Sequence, residues 1–328
     1  MAGWEAAFFT ALNCLPMFIG SCANFLVIVS SLLFRSVRDI EETSLFLVSL
    51  SVADFLVCTV YQPLLIIRFN QPDQDRSFVL SSSLIGYTLM TASLNGLLAV
   101  TFDRFVAIYL PFKYINWMIK KNVALLISIS WLVALVAGIS SSSEIAGVKV
   151  TSQLYTTIVI MAVPILYGVI YKEARKQARQ VISQYMQVKT NLPSRQRQTN
   201  KATRGVGLVL MTTLICWLPI VMVFPFIFAT SHHDGVILNV MLWCLTPACI
   251  NSCINPFIYV YKFVKFRRNV RKLFQEIQKH FGGSSLFNTK RRNDVNPMTE
   301  AGNYTGATKC SAWLPDQGTA EVHSQTDP

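Results

Sequence analysis

The chain has 328 residues, 52% of them hydrophobic and only 14% charged, with a formal net charge of +12. A soluble domain of ordinary make-up is nearer a quarter charged, so too few charges are present to cover one large water-soluble globule. No separate basic soluble domain gathers the positive charge, which excludes a nucleic-acid-binding protein.

The apolar residues fall into seven blocks, at about 7–34, 42–68, 77–108, 122–141, 153–171, 205–229 and 236–261, with charges pushed into the gaps. A helix rises about 1.5 Å per residue, so about 20 apolar residues cross the hydrocarbon core. Backbone amides in lipid must pair within their own segment, which makes these blocks helices. The short alternating segments of a lipid-facing barrel are absent. The expected fold is an all-α membrane protein, a bundle of seven transmembrane helices. The chain starts MAGWEAAFF, acidic rather than basic, and its first apolar run is longer than that of a signal peptide, so the first block is expected to be a retained span.

Arginine and lysine placement orients the bundle. All of them except Arg68, Arg76 and Lys149 lie in the gaps after the first, third and fifth blocks, at the end of the third block, or after the seventh. That side is expected to face the cytoplasm, with the N-terminus outside and the protein in the plasma membrane. Anionic inner-leaflet lipid would reinforce the arrangement.

Taken in chain order, the first block carries Asn24 in GSCANFLVI. The second carries Asp54 in LSVADFLV, the one ionisable side chain near mid-membrane. An acid at that depth is costly and by default marks a functional site; a protonated carboxyl bonded between helices is the plainer alternative. The third block ends in FDRF, with Asp103 beside Arg104. Arg104 can snorkel toward water, and Asp103 supplies a counter-charge that lowers the cost of holding the guanidinium near hydrocarbon. Residues i and i+1 do not face each other on a helix, so a loose pair is expected, able to open as a switch; a purely anchoring arginine is the alternative. Trp131 lies in the fourth block, Pro164 in the fifth, CWLP (Cys216 to Pro219) in the sixth and NPFIY (Asn255 to Tyr259) in the seventh. Pro219 and Pro256 each remove a helix hydrogen bond and bend the chain. Trp217 lies two residues before the first of these, where its movement can pass into rotation of the sixth helix.

After the seventh block, VYKFVKFRRNVRKLFQEIQKHF places Phe263, Phe266, Val270, Leu273, Phe274 and Ile277 at three- and four-residue steps between basic residues. This is the pattern of an amphipathic helix on the membrane surface, 262–281. Residues 1–281 are therefore expected to form one domain, and the polar remainder, 282–328, a disordered cytoplasmic tail. NYT at 303–305 matches a glycosylation sequon but falls on the cytoplasmic side.

Together, Asn24, Leu50 with Asp54, Asp103-Arg104-Phe105, Trp131, Pro164, CWLP and NPFIY resemble, in order and one per span, the motifs of rhodopsin-like, class A G-protein-coupled receptors. The resemblance covers about residues 7 to 281. It implies a receptor, not an enzyme, that binds an extracellular ligand and activates a heterotrimeric G protein. It implies a sodium site of Asp54, Ser93, Trp217, Asn251, Ser252 and Asn255, all but the tryptophan oxygen donors suited to a hard cation. The activation switch it implies comprises Asp103, Arg104, Trp217, Pro219, Asn255, Pro256 and Tyr259. Arg104 would contact the G protein together with Pro111 and Phe112 of YLPFKY. Receptor kinases and arrestin would act on tail residues such as Ser284, Ser285, Thr289, Thr299, Thr305 and Thr308.

Departures from the family pattern carry expectations of their own. The outer loops have no cysteine for the usual bridge to the third span, so no structural disulfide is expected there. Melanocortin and lysophospholipid receptors share that lack, and the short N-terminus and second outer loop are similar to those of the melanocortin, cannabinoid and adenosine group. The inner end of the sixth span, RQRQTNKATRG, has no acid to latch Arg104, which implies raised basal activity. Tyr171 follows Pro164 by seven residues where the family's tyrosine follows by eight. Gly86 stands where amine receptors carry an aspartate, and Cys249 where an opsin carries its lysine, so no retinal is expected. The expected ligand pocket is Gly86, Tyr87, Met90, Thr91, Thr156, Val221, Phe224, Trp243, Leu245 and Cys249, mostly apolar and suited to a small neutral or lipid-like ligand; a peptide is the alternative, since Asp73, Asp75 and Asp234 make the outer rim mildly acidic. An intramembrane enzyme would need catalytic groups in the spans, yet all four histidines lie outside them. A transporter would show internal repeats, and none is present.

Overall fold

The computed structural model describes residues 3–34, 43–71, 73–143, 145–188, 208–223, 235–262 and 264–281, and these are almost entirely helical. In chain order they form α1 (Gly3–Leu33), α2 (Thr43–Leu56), α3 (Gln62–Asn70), α4 (Arg76–Tyr109), α5 (Pro111–Trp117), α6 (Lys120–Ser142), α7 (Ala146–Val188), α8 (Leu208–Val223), α9 (Gly235–Lys262) and α10 (Val264–Phe281). Among the described residues, six spans are long and apolar enough to cross a membrane, α2 and α3 counting as one; α8 is a shorter apolar helix within the sixth block.

A π-helical turn, Val57–Tyr61, joins α2 to α3. Pro63 has no N–H to offer the carbonyl of Thr59 four residues back. Just before it the helix widens, and the Gln62 N–H reaches back five residues to the Val57 carbonyl. One extra residue turns the downstream face by about 100°, and on that face Arg68 of α3 meets Ser83 of α4.

The first and last spans are neighbours: α1 packs on both α2 and α9. Central α4 touches α2, α6 and α7, and α6 touches α7. Polarity is inverted relative to a soluble protein. Leu15, Phe18, Phe25, Leu132, Ile165 and Ile215 are exposed, whereas Asn13, Asn24, Asp54, Asn95, Asn251 and Asn255 are buried. Lipid tails are as apolar as leucine, so helices associate through close packing and interhelical hydrogen bonds rather than by escaping solvent. Asn24 donates to the Ser252 carbonyl at 3.0 Å across α1 and α9, and Trp131 Nε1 donates to Ser49 Oγ at 3.0 Å across α6 and α2. Asn95 donates to the Ser130 carbonyl on α6 and accepts from the Tyr155 hydroxyl on α7 at 2.7 Å, binding three helices at one residue. Gly138 lets α6 approach α4 so closely that a Cβ there would collide with Thr88 and with the Leu84 carbonyl.

Three local expectations change. The fifth span begins at Ala146 rather than near 153, because AGVKVTSQ continues the helical run; the stretch expected as a short outer loop is largely α7. The segment holding Pro111 and Phe112 is a short helix, α5, opened by proline at its first position, where the missing N–H costs nothing. In α10, Phe266 and Leu273 are buried while Phe274 and Ile277 remain exposed, so its apolar residues divide between two directions. The tail, 282–328, lies outside the described residues.

Candidate functional site

A cavity of about 140 Å3 lies among the second span, α4, α7, α8 and α9. Gly86 lines it, and Arg104 follows eighteen residues later on the same helix, about 27 Å away along the axis. Tyr61, Tyr87, Met90, Thr91, Thr156, Ile160, Trp217, Val221 and Leu245 are among the other lining residues. The Tyr87 hydroxyl donates to the Ser152 carbonyl at 2.7 Å and lies 2.5 Å from Thr156 Oγ1, fixing α4 to α7 at the cavity wall.

The glycine at 86 has a direct steric reason. A Cβ at that position would enter the ring of Tyr61, a residue of the π-helical turn. Where the family resemblance puts an aspartate in amine receptors, this chain has neither a carboxylate nor room for one.

Of the expected pocket residues, Gly86, Tyr87, Met90, Thr91, Thr156, Val221 and Leu245 line the cavity. Trp243 and Cys249 are not among its described lining residues. Trp243 turns its ring against Phe9 at 5.1 Å and Phe69 at 5.8 Å, edge to face, because those two phenylalanines already stack and offer it an aromatic wall. Cys249 is fully buried within the packing. Phe224 lies outside the described residues. The cavity also takes in Tyr61, Arg68, Gln153 and Ile160, which sequence reasoning missed. Arg68 is the one charge among the described lining residues. Its signal was the seven-residue spacing from Tyr61, two helical turns on one face, at the end of the second apolar block.

Directly beneath the cavity is the Asp54 cluster. Thr91 lines the cavity, and Ser93, two residues further along α4, donates to Asp54 Oδ1 at 2.7 Å. Asn255 Nδ2 donates to Asp54 Oδ2 at 2.8 Å, and Asp54 is fully buried. Asn255 Oδ1 is also buried and accepts no hydrogen bond. Asn251 turns toward α8, where it accepts from Thr213 at 3.2 Å. Ser252 is buried nearby in sequence, with its carbonyl held by Asn24. A carboxylate, a hydroxyl and an unsatisfied amide oxygen together are the ligand type that hard cations take, so these residues fit one.

At the far end of α4, Arg104 donates from Nε and Nη2 to Asp103 Oδ2 at 2.9 and 2.6 Å. The pair is tighter than its adjacent positions implied, because the long arginine side chain folds back along the helix to its neighbour. Tyr114 of α5 donates to Asp103 Oδ1 at 3.0 Å, so both carboxylate oxygens are engaged. Asp103 is fully buried and the Arg104 side chain nearly so. Phe112, on the same short helix as Tyr114, is 91% exposed. Tyr259 is buried with its ring 6.3 Å from that of Phe266. Pro219 and Pro256 lie inside α8 and α9. Trp217 lines the cavity, two residues before Pro219.

The sequence pattern of the 7 transmembrane receptor (rhodopsin family) matches residues 23–143 and 138–259. Trace amine-associated receptor 365 of Petromyzon marinus is 27% identical over 327 residues, covering 89% of this chain and 84% of that protein. Trace amine-associated receptor 2 of Mus musculus is 26% identical, covering 88% and 91%. Adenosine receptor A2a of Homo sapiens is 25% identical over 268 residues, covering 71% and 64%. With a family match over most of its length and the same motifs assembled in three dimensions, the chain belongs to the rhodopsin-like, class A family of G-protein-coupled receptors, multi-pass membrane proteins that bind an extracellular ligand and are not enzymes.

Proposed function

We propose that the ligand enters the cavity between α3 and α9 and that its arrival is transmitted to a G protein through Trp217, the Asp54 cluster and Arg104. The observation that carries this reading is the continuity along α4: Thr91 at the cavity, Ser93 on Asp54, and Asp103 with Arg104 at the opposite end. The N-terminus and the cavity face outward at the plasma membrane; the excess of lysine and arginine at the Arg104 end supports this orientation.

The ligand is small and largely apolar, in keeping with a cavity wall of Met90, Ile160, Trp217, Val221 and Leu245. Two of the relatives named above are trace amine-associated receptors. Gly86 removes the acid that would hold an amine, so amine recognition does not carry over to this chain. Sodium at Asp54, Ser93 and Asn255 holds the receptor inactive, and the unsatisfied Asn255 oxygen supports that assignment. Arg104 leaves Asp103 on activation to meet the G protein, with Phe112 as the exposed apolar knob beside it. No acid in RQRQTNKATRG latches Arg104, and basal signalling is raised in consequence. Arrestin and receptor kinases act on the tail.

The test is a panel of G-protein dissociation reporters in cells expressing the receptor, read first without ligand and then across a small-molecule library. Coupling to at least one G protein, above empty-vector cells at baseline, is expected. Silence of every reporter at confirmed surface expression would refute it.

A further inference from the structure

Arg68 has a guanidinium where a neutral pocket should have none. It lines the cavity from α3, half-buried, and its Nη1 donates to Ser83 Oγ at 3.0 Å. Its Nε is buried and finds no acceptor. No carboxylate appears among the described lining residues; the groups around the cavity are hydroxyls, one amide and apolar side chains. A buried N–H without an acceptor forfeits the full cost of its desolvation, and a cation off the bulk solvent is retained only where an anion or dipoles offset it. Ser83 satisfies one nitrogen, leaving the edge formed by Nε and the remaining terminal nitrogen to take a partner. That edge is the one that binds carboxylate or phosphate oxygens two at a time.

We propose that Arg68 is a ligand-binding residue and that the ligand is an amphipathic anion, with a carboxylate or phosphate on Arg68 and an apolar body running down toward Met90, Ile160 and Trp217. This rests on the cavity being the receptor's ligand site and narrows the ligand to one charge class. It also accounts for Gly86. An acid there would stand across the cavity from Arg68 and neutralise it internally, which would remove the selectivity for an anion.

The probes are 3-phenylpropionate, 3-phenylpropyl phosphate, 3-phenylpropanol and 3-phenylpropylamine, which share one apolar body and differ in head group. Each is titrated against the purified full-length receptor in lipid nanodiscs, with thermal stability and Trp fluorescence as readouts. The two anions should bind at least tenfold more tightly than the alcohol, and the amine least. Arg68→Gln should lower anion affinity at least tenfold while leaving the alcohol's unchanged, and Arg68→Lys should recover part of the loss. Arg68→Glu should reverse the order in favour of the amine; the near-isosteric Gln variant keeps the test decisive if the Glu variant does not fold. Alcohol or amine binding as well as the acids, or anion affinity indifferent to Arg68→Gln, would overturn the assignment while leaving the cavity as the site. If no probe of the series binds, the anion assignment falls, and the reporter panel decides separately whether the receptor reading survives.

Discussion

The Tyr114 hydroxyl donates to Asp103 Oδ1 at 3.0 Å, on the carboxylate whose other oxygen holds Arg104. A helix of seven residues, α5, is thereby fastened to the acid that restrains the switch arginine. Hydrogen bonds to a charged group contribute about 1.5–3 kcal/mol each, enough to move a two-state equilibrium roughly tenfold or more. Tyr114→Phe is expected to raise unliganded signalling several-fold per receptor at the surface. Asp103→Asn, which removes the charge as well, should raise it further. Basal G-protein dissociation normalised to surface label measures both. Equal baselines in wild type and Asp103→Asn would mean that this carboxylate restrains nothing.

The Asp54 cluster should respond to cation identity. A ligand at about three times its Kd stabilises its protein by about 0.8 kcal/mol, which corresponds to a Tm shift of about 2 °C for a domain of this size. Purified receptor in sodium chloride is expected to melt higher than in choline chloride at matched ionic strength. Asp54→Asn should abolish the difference, because the cation loses its one formal counter-charge there. An undiminished sodium effect in that variant would place the ion elsewhere.

Span count and order were legible because the lipid forces them: long apolar runs can only be helices, and the polar residues that survive within them are there for a reason. Asp54, Ser93 and Asn255 were legible for the same reason, and they meet within hydrogen-bonding distance. What could not be read was anything set by rotation about a helix axis. The π-helical turn before Pro63 changes which residues share a face, and downstream of it Arg68, the last residue of the second apolar block, lies on the cavity wall. The direction of Trp243 was illegible for a related reason: its ring packs on the Phe9–Phe69 stack, a pairing of α1 with α3 that no local pattern announces. Helix α5 was missed because seven residues are too few to display a period.

Trp243 supplies a direct check on that packing. Edge-to-face pairs are worth about 0.5–1.5 kcal/mol apiece, and Trp243 makes two, with Phe9 and Phe69. Trp243→Ala should lower Tm by several degrees and leave 3-phenylpropionate affinity within twofold of wild type. Affinity lost together with stability would return the tryptophan to the binding site.

Gly86 and Tyr61 make a pair whose two halves can be separated. Any Cβ at 86 meets the Tyr61 ring, which is buried and lines the cavity, so the ring must shift to admit it. Overpacking of this kind costs about 1–3 kcal/mol. Gly86→Ala should therefore lower Tm by several degrees, and adding Tyr61→Ala should restore most of the loss, since the new methyl then occupies space the ring has left. The same logic applies to conversion toward amine recognition. Gly86→Asp alone should give a poorly expressed receptor with no response to 3-phenylpropylamine. Gly86→Asp with Tyr61→Ala frees the carboxylate to face the cavity, but there it meets Arg68 and pairs with it, so the amine response should emerge only when Arg68→Gln is added. Surface expression and reporter response across the single, double and triple variants measure each step. An amine response from Gly86→Asp alone would show that Tyr61 yields readily and that the glycine is not held by it.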